Sequence, residues 1–201
     1  MNFKTALGTD VVQTIKFKNF VKKPTVYQVK IEKLGGAAKT STNPKDTKAP
    51  QCEFTVDNLN VNAPAADSKD GVEVPLNIKF EPSGMSESKA LMTVSSTEGG
   101  TYQYYLIGQT VNPQPKGPFK NTGKGGISID FKNPFYEATE FMVIIDNPAF
   151  TTTVKNPMKL EAGKVGAIPV TYKAVPGQTA NGRVIVSAEG VPQWTFYVQG
   201  D

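Results

Sequence analysis

The chain repeats itself, and that one feature constrains its fold more than any other. Ile15-Lys16-Phe17-Lys18-Asn19 returns as Ile129-Asp130-Phe131-Lys132-Asn133, 114 residues later. The same offset carries Tyr27-Gln28-Val29-Lys30-Ile31-Glu32 onto Phe141-Met142-Val143-Ile144-Ile145-Asp146 without a gap. Further on, Val74-Pro75-Leu76-Asn77-Ile78 matches Ile168-Pro169-Val170-Thr171-Tyr172. The ends match at an offset of 92: Thr93-Val94-Ser95 with Ile185-Val186-Ser187, and Tyr102-Gln103-Tyr104-Tyr105-Leu106-Ile107-Gly108 with Trp194-Thr195-Phe196-Tyr197-Val198-Gln199-Gly200. The difference of 22 residues is extra loop in the first copy, expected mostly between Leu34 and Gln51 and between Asn62 and Gly71. A duplicated unit of roughly 90–110 residues has the size of a domain. The 201 residues therefore divide into two domains of one fold, 1–111 and 119–201, joined by a linker at 112–118.

Each copy reads as strands. Ile15 and Phe17 alternate with Lys16 and Lys18; Tyr27, Val29 and Ile31 alternate with Gln28, Lys30 and Glu32. Val74, Leu76, Ile78 and Phe80 alternate with Pro75, Asn77 and Lys79. A period of two is the mark of a half-buried strand. Gly, Pro and Asn cluster between the runs, as in Glu81-Pro82-Ser83-Gly84 and Glu98-Gly99-Gly100, so turns recur at short intervals. No helical pattern stands out. Short strands and frequent turns in a unit near 100 residues predict an all-β chain of two tandem immunoglobulin-like antiparallel β-sandwiches. The inward phases predict a first core of Phe17, Val29, Ile31, Leu76, Ile78, Val94, Tyr104 and Leu106. Its counterpart holds Phe131, Val143, Ile145, Val170, Tyr172, Val186, Phe196 and Val198. Pro113, Pro115 and Pro118 favour an extended linker. The Lys/Thr/Pro/Asn-rich loop at 35–50 has almost nothing apolar to bury and is expected to be mobile.

Composition narrows the chemistry. With no His there is no Ser–His or Cys–His nucleophile pair and no His-ligated metal. The single Cys52 excludes an internal disulfide and every multi-cysteine metal site. No cofactor and no metal are expected, and an enzyme is the least expected class. No run approaches the roughly 20 apolar residues of a membrane span. No Asn is followed at the second position by Ser or Thr, and with the lone thiol this favours a cytoplasmic setting.

Charge is uneven. Residues 1–48 carry +7, residues 49–112 carry −5 and residues 113–201 carry +2. Lys16, Lys18 and Lys30 fall at outward strand phases, with Lys22 and Lys23 in the intervening turn. These five form a candidate basic face for an acidic partner; a solvated sheet face with edge lysines is the plainer reading of them. Nucleic acid is not expected, because the aromatics sit at inward phases and leave no stacking platform.

Three lesser features carry bland readings. Gly117 to Gly126 echoes a phosphate loop but has the wrong spacing, and Gly125 stands where Ser or Thr should be. Asp67-Ser68-Lys69-Asp70-Gly71 lacks the ligand spacing of a calcium loop. Cys52 reads as a small half-buried hydrophobe and Trp194, aligned with Tyr102, as part of the sandwich.

The repeat opening, "IxFKN" followed by "YxVxI" or "FxVxI", and its ending, aromatic-x-aromatic-aromatic-aliphatic-x-Gly, resemble ASH domains. These are immunoglobulin-like domains of the major-sperm-protein-like group, found in Hydin-type and other cilia- and flagella-associated proteins. The resemblance covers both repeats. It implies a non-enzymatic scaffold of the ciliary axoneme and its central apparatus, with other axonemal proteins or microtubules (tubulin) as partners and no membrane contact. The alternatives are a peptide-binding adaptor of major-sperm-protein type and a bacterial surface or chaperone-like tandem. A chain that stops at Gly200-Asp201, at the close of a predicted strand, is expected to belong to something longer.

Overall fold

The structure, a computed structural model, describes residues 1–35, 51–121, 125–173 and 179–200. Most of the loop at 35–50, and Gly123 and Lys124 of the phosphate-loop echo, lie outside the described residues. Among the described residues every regular element is a strand. The chain forms two compact units. One comprises Met1–Thr5, Thr9–Pro82 and Ser86–Thr110; the other comprises Ala6–Gly8, Ser83–Met85 and Val111–Asp201.

The first sandwich is built from β1 (Asn2–Ala6), β2 (Val11–Asn19), β3 (Thr25–Leu34), β4 (Phe54–Val56), β5 (Asn60–Ala63), β6 (Val72–Phe80), β7 (Ser88–Ser96) and β8 (Gly100–Val111). Five strands form one sheet in the order β1-β8-β7-β3-β5, and three form the other in the order β2-β6-β4. The second is built from β9 (Lys116–Asn121), β10 (Ile127–Lys132), β11 (Thr139–Ile145), β12 (Phe150–Thr152), β13 (Met158–Leu160), β14 (Val165–Tyr172), β15 (Ala180–Ser187) and β16 (Trp194–Gly200). Its sheets run β9-β16-β15-β11-β13 and β10-β14-β12, which is the same topology strand for strand. Strand β9 starts inside the stretch read as linker and pairs in parallel with β16. Proline is tolerated there because β9 is an edge strand that leaves one side of its backbone unpaired.

Alternation places the cores as the sequence predicts. Phe17, Val29, Leu76, Ile78, Val94 and Leu106 are buried, with Ile31 and Tyr104 packed against them. Phe131, Val143, Val170, Tyr172, Val186, Phe196 and Val198 are buried in the second core, and Ile145 packs against it. The motif phenylalanines meet the same partners edge-on: Phe17 lies 4.9 Å from Tyr27 and Phe131 lies 4.8 Å from Phe141. Trp194 is buried 5.1 Å from Phe131, a core position. The sequence reading passed over Phe3, which β1 buries in the first core.

One match needs correction. Ile15 pairs with Leu76, and its counterpart Ile129 pairs with Ile168. Leu76 therefore corresponds to Ile168, and the alignment of Val74-Pro75-Leu76 with Ile168-Pro169-Val170 is two residues out of step. A slip of two keeps every side chain on its own face, so alternation cannot detect it. In the true register Phe80 corresponds to Tyr172, each facing an aromatic on the next strand, Phe54 or Phe150. The repeat offset is then 114 through β3, 96 at β4 and 92 from β6 onward, so 18 of the 22 extra residues fall between β3 and β4.

The same register explains the closing glycine of the motif. A Cβ on Gly108 would sit 2.4 Å from the ring of Phe80, and one on Gly200 would sit 2.4 Å from the ring of Tyr172. Each sandwich lays a large ring across the backbone of its last strand, and only glycine leaves room for it.

Candidate protein-contact surface

The five candidate lysines do not form one face. Lys16 and Lys18 project from β2, in the three-stranded sheet; Lys30 projects from β3, in the five-stranded sheet. Exposed side chains of the two sheets of a sandwich point to opposite sides, so Lys30 faces away from Lys16 and Lys18. Lys22 and Lys23 sit in the connection between them. The expected common face fails because alternation distinguishes inside from outside but does not say which sheet a strand joins.

Most of these charges are also matched locally. Lys16 Nζ lies 2.9 Å from Glu73 Oε2 on the neighbouring β6. This hydrogen bond, with the attraction between the charges, raises the Lys16 pKa above its ordinary value and lowers that of Glu73. Lys18 stands directly across from Glu73 and lowers its pKa further. Lys23 pairs with Glu98 at 2.7 Å and Lys30 with Glu32 at 2.8 Å. All are exposed pairs, which contribute little to stability but cancel much of the field a distant acidic partner would feel. Lys18 and Lys22 carry no ion pair among the described residues.

The connection holding Lys22 and Lys23 is set by Asn19, the last residue of the repeat motif. Asn19 is fully buried. Its Oδ1 accepts the backbone N–H of Val21 at 3.2 Å and the hydroxyl of Tyr27 at 3.0 Å, while Nδ2 donates to Pro64 O at 2.8 Å. An Asn side chain that bonds the backbone two residues on holds a tight turn. Asn133 does the same with Phe135, but the turn that follows is Pro134-Phe135-Tyr136-Glu137 and carries no lysine.

Other features are quiet. Among the described residues no group of three His, Cys, Asp or Glu side chains is placed to hold a metal ion. No described helix is long and apolar enough to cross a membrane. Cys52 is half-buried, and desolvation raises its thiol pKa. The sequence reading did not single out an exposed apolar strip on the second sandwich, centred on Met142 and Ile144. The signal was present: Phe141-Met142-Val143-Ile144-Ile145 is apolar at both phases, where the first copy alternates.

No protein-family model matches the chain. Two curated proteins are similar to all of it: the human hydrocephalus-inducing protein homolog, 28% identical over 209 residues, and the mouse hydrocephalus-inducing protein, 29% identical over 210 residues. The chain spans about 4% of the length of either. Among solved structures, an ASH/PapD-like domain of human CEP192 covers 57% of this chain and 82% of its own, with a TM-score of 0.40 at 13% identity. The CupB2 chaperone of Pseudomonas aeruginosa covers 98% of this chain and 95% of its own, with a TM-score of 0.35 at 11% identity. The repeat motifs also resemble cilia- and flagella-associated protein 47, and the relatives found do not single out that member. Along its whole length the chain is similar to about 4% of the hydrocephalus-inducing proteins, the Hydin-type group that its repeat motifs resemble.

Proposed function

We propose that this chain is a non-enzymatic structural segment of a ciliary protein, seated in the axoneme at the central apparatus and contacting neighbouring axonemal proteins or microtubules. The observation that carries the reading is the similarity to hydrocephalus-inducing proteins over every residue, at 28–29% identity. Two sandwiches of one topology in tandem support it, because repeated small domains make an extended scaffold with many weak contact sites. The test is to image the tagged full-length protein in a ciliated cell. Signal along the axoneme, retained after the membrane is stripped, is the expected result; signal confined to the cell body or to membranes overturns the reading.

Microtubule contact through the first domain has its own test. Lys16 and Lys18 lie on one side, Lys30 on the other, and Lys22 and Lys23 in the turn. Charge reversal should therefore be made in three separate sets and followed by co-sedimentation with microtubules. Loss with one set alone locates the contact. Binding that survives all three, or that ignores salt, removes the lysines from the contact.

A further inference from the structure

The outer side of the second domain's five-stranded sheet carries an apolar strip. Met142 and Ile144 lie two residues apart on β11, 45% and 52% exposed. Ile144 stands directly opposite Ile185 on β15. Ile185 pairs with Thr195 on β16, which makes Tyr197, 45% exposed, its diagonal neighbour. Opposite and diagonal side chains on one sheet face are within reach of each other, so these four run as a continuous strip across three strands. The fold does not require it. Three of the four equivalent positions of the first sandwich, on the same sheet, hold Gln28, Lys30 and Thr93, and the fourth keeps an exposed tyrosine, Tyr105.

The border of the strip is charged in a definite way. On one side Glu140 lies in register with Lys159, and Asp146 Oδ2 accepts from Arg183 Nε at 2.7 Å, so these carboxylates face cations of their own chain. On the other side Lys120, in register with Gln199 two residues from Tyr197, stands exposed on β9 without a carboxylate partner among the described residues. Three strands by about five residues present on the order of 200–300 Å². That is far below the ~800 Å² per partner of a stable specific pair. Such a strip does not hold a homodimer together; it suits a neighbour kept close by other contacts.

We infer that this strip binds an apolar surface bordered by carboxylates on a different polypeptide. The inference stands on the second sandwich alone and does not need the ciliary reading.

The test places a photoreactive benzoylphenylalanine at Ile144 of the 201-residue chain. The chain is irradiated in whole lysate of ciliated cells, and the crosslinked peptides are sequenced. The expected adducts lie on another polypeptide, at apolar residues within a few positions of Asp or Glu. They should disappear in the double variant Met142→Gln with Ile185→Thr, whose new residues are those the first sandwich tolerates at the same places. They should fall several-fold with Lys120→Glu, and the same probe at Gln28 should give none of them. Adducts with a second copy, adducts on peptides lacking carboxylates, adducts indifferent to both variants, or no adduct at all overturn the inference. A qualifying adduct on a protein absent from cilia supports the inference while counting against the axonemal reading.

Discussion

Asn19 and Asn133, 114 residues apart in the chain, share two kinds of hydrogen bond at the same place in two separate sandwiches. Each accepts a backbone N–H two residues on through Oδ1, at 3.2 and 2.9 Å. Each donates through Nδ2 to a carbonyl far along the chain, Pro64 O at 2.8 Å and Leu160 O at 3.0 Å. Both are fully buried, so truncation strands polar backbone groups without water. Asn133→Ala should cost about 1–3 kcal/mol for these partners, read by urea titration through the fluorescence of Trp194, the single tryptophan. Asn19→Ala should cost a similar amount by circular dichroism. A loss under about 0.5 kcal/mol in both would show that water replaces the side chain.

The two closing glycines predict an overpacking penalty. Gly108→Ala and Gly200→Ala place a methyl 2.4 Å from a buried ring, and each should cost about 1–3 kcal/mol. Gly84→Ala, which meets nothing within 4 Å, should be neutral or slightly stabilising. Adding Phe80→Leu should cost less in the Gly108→Ala background than alone, and strict additivity would contradict the ring contact.

The Asp146–Arg183 pair predicts a pH dependence. The Arg183 guanidinium and its backbone N–H both bond the Asp146 carboxylate and hold its pKa below the usual range. A depressed carboxylate adds stability above its unfolded value, about 3.9, and loses it as pH falls through the lower folded value. Arg183→Gln should lower Tm near neutrality, and only modestly, because solvent screens this largely exposed pair. The gap in Tm between parent and variant should narrow below about pH 4. A gap that stays constant down to pH 2 means the pair contributes by packing.

Burial raises the Cys52 thiol pKa. At pH 8 its reaction with a thiol reagent should therefore be slower than that of a free cysteine, whose pKa is about 8.5, and should reach that rate in denaturing urea. Equal rates in the folded and unfolded chain would mean the thiol is open to solvent.

The fold was legible because both of its signals are local. Alternation marks the inward residues strand by strand, and duplication confirms them, since Phe17 and Phe131 must satisfy the same pocket of rings. Partners across the sandwich are not local. Nothing in Lys16-Phe17-Lys18 or Val29-Lys30-Ile31 says that the chain crosses from one sheet to the other at Asn19, so the basic face came apart. The two-residue slip at Leu76 has a related cause, because faces are conserved under it. The apolar strip has the opposite character: a continuous apolar run reads as well-buried strand, although the inward phases of Val143 and Ile145 already set Met142 and Ile144 outward, where the structure exposes them.

The parallel pairing of β9 with β16 has a mechanical meaning. Because the first and last strands of this sandwich run the same way, side by side, the chain enters at one end of the ladder and leaves at the other. A pull on the two ends loads the rungs from Phe196 opposite Lys116 to Gly200 opposite Asn121 together, in shear, and does not peel them one by one. Tension carried from one end of this domain to the other therefore falls on several hydrogen bonds at once.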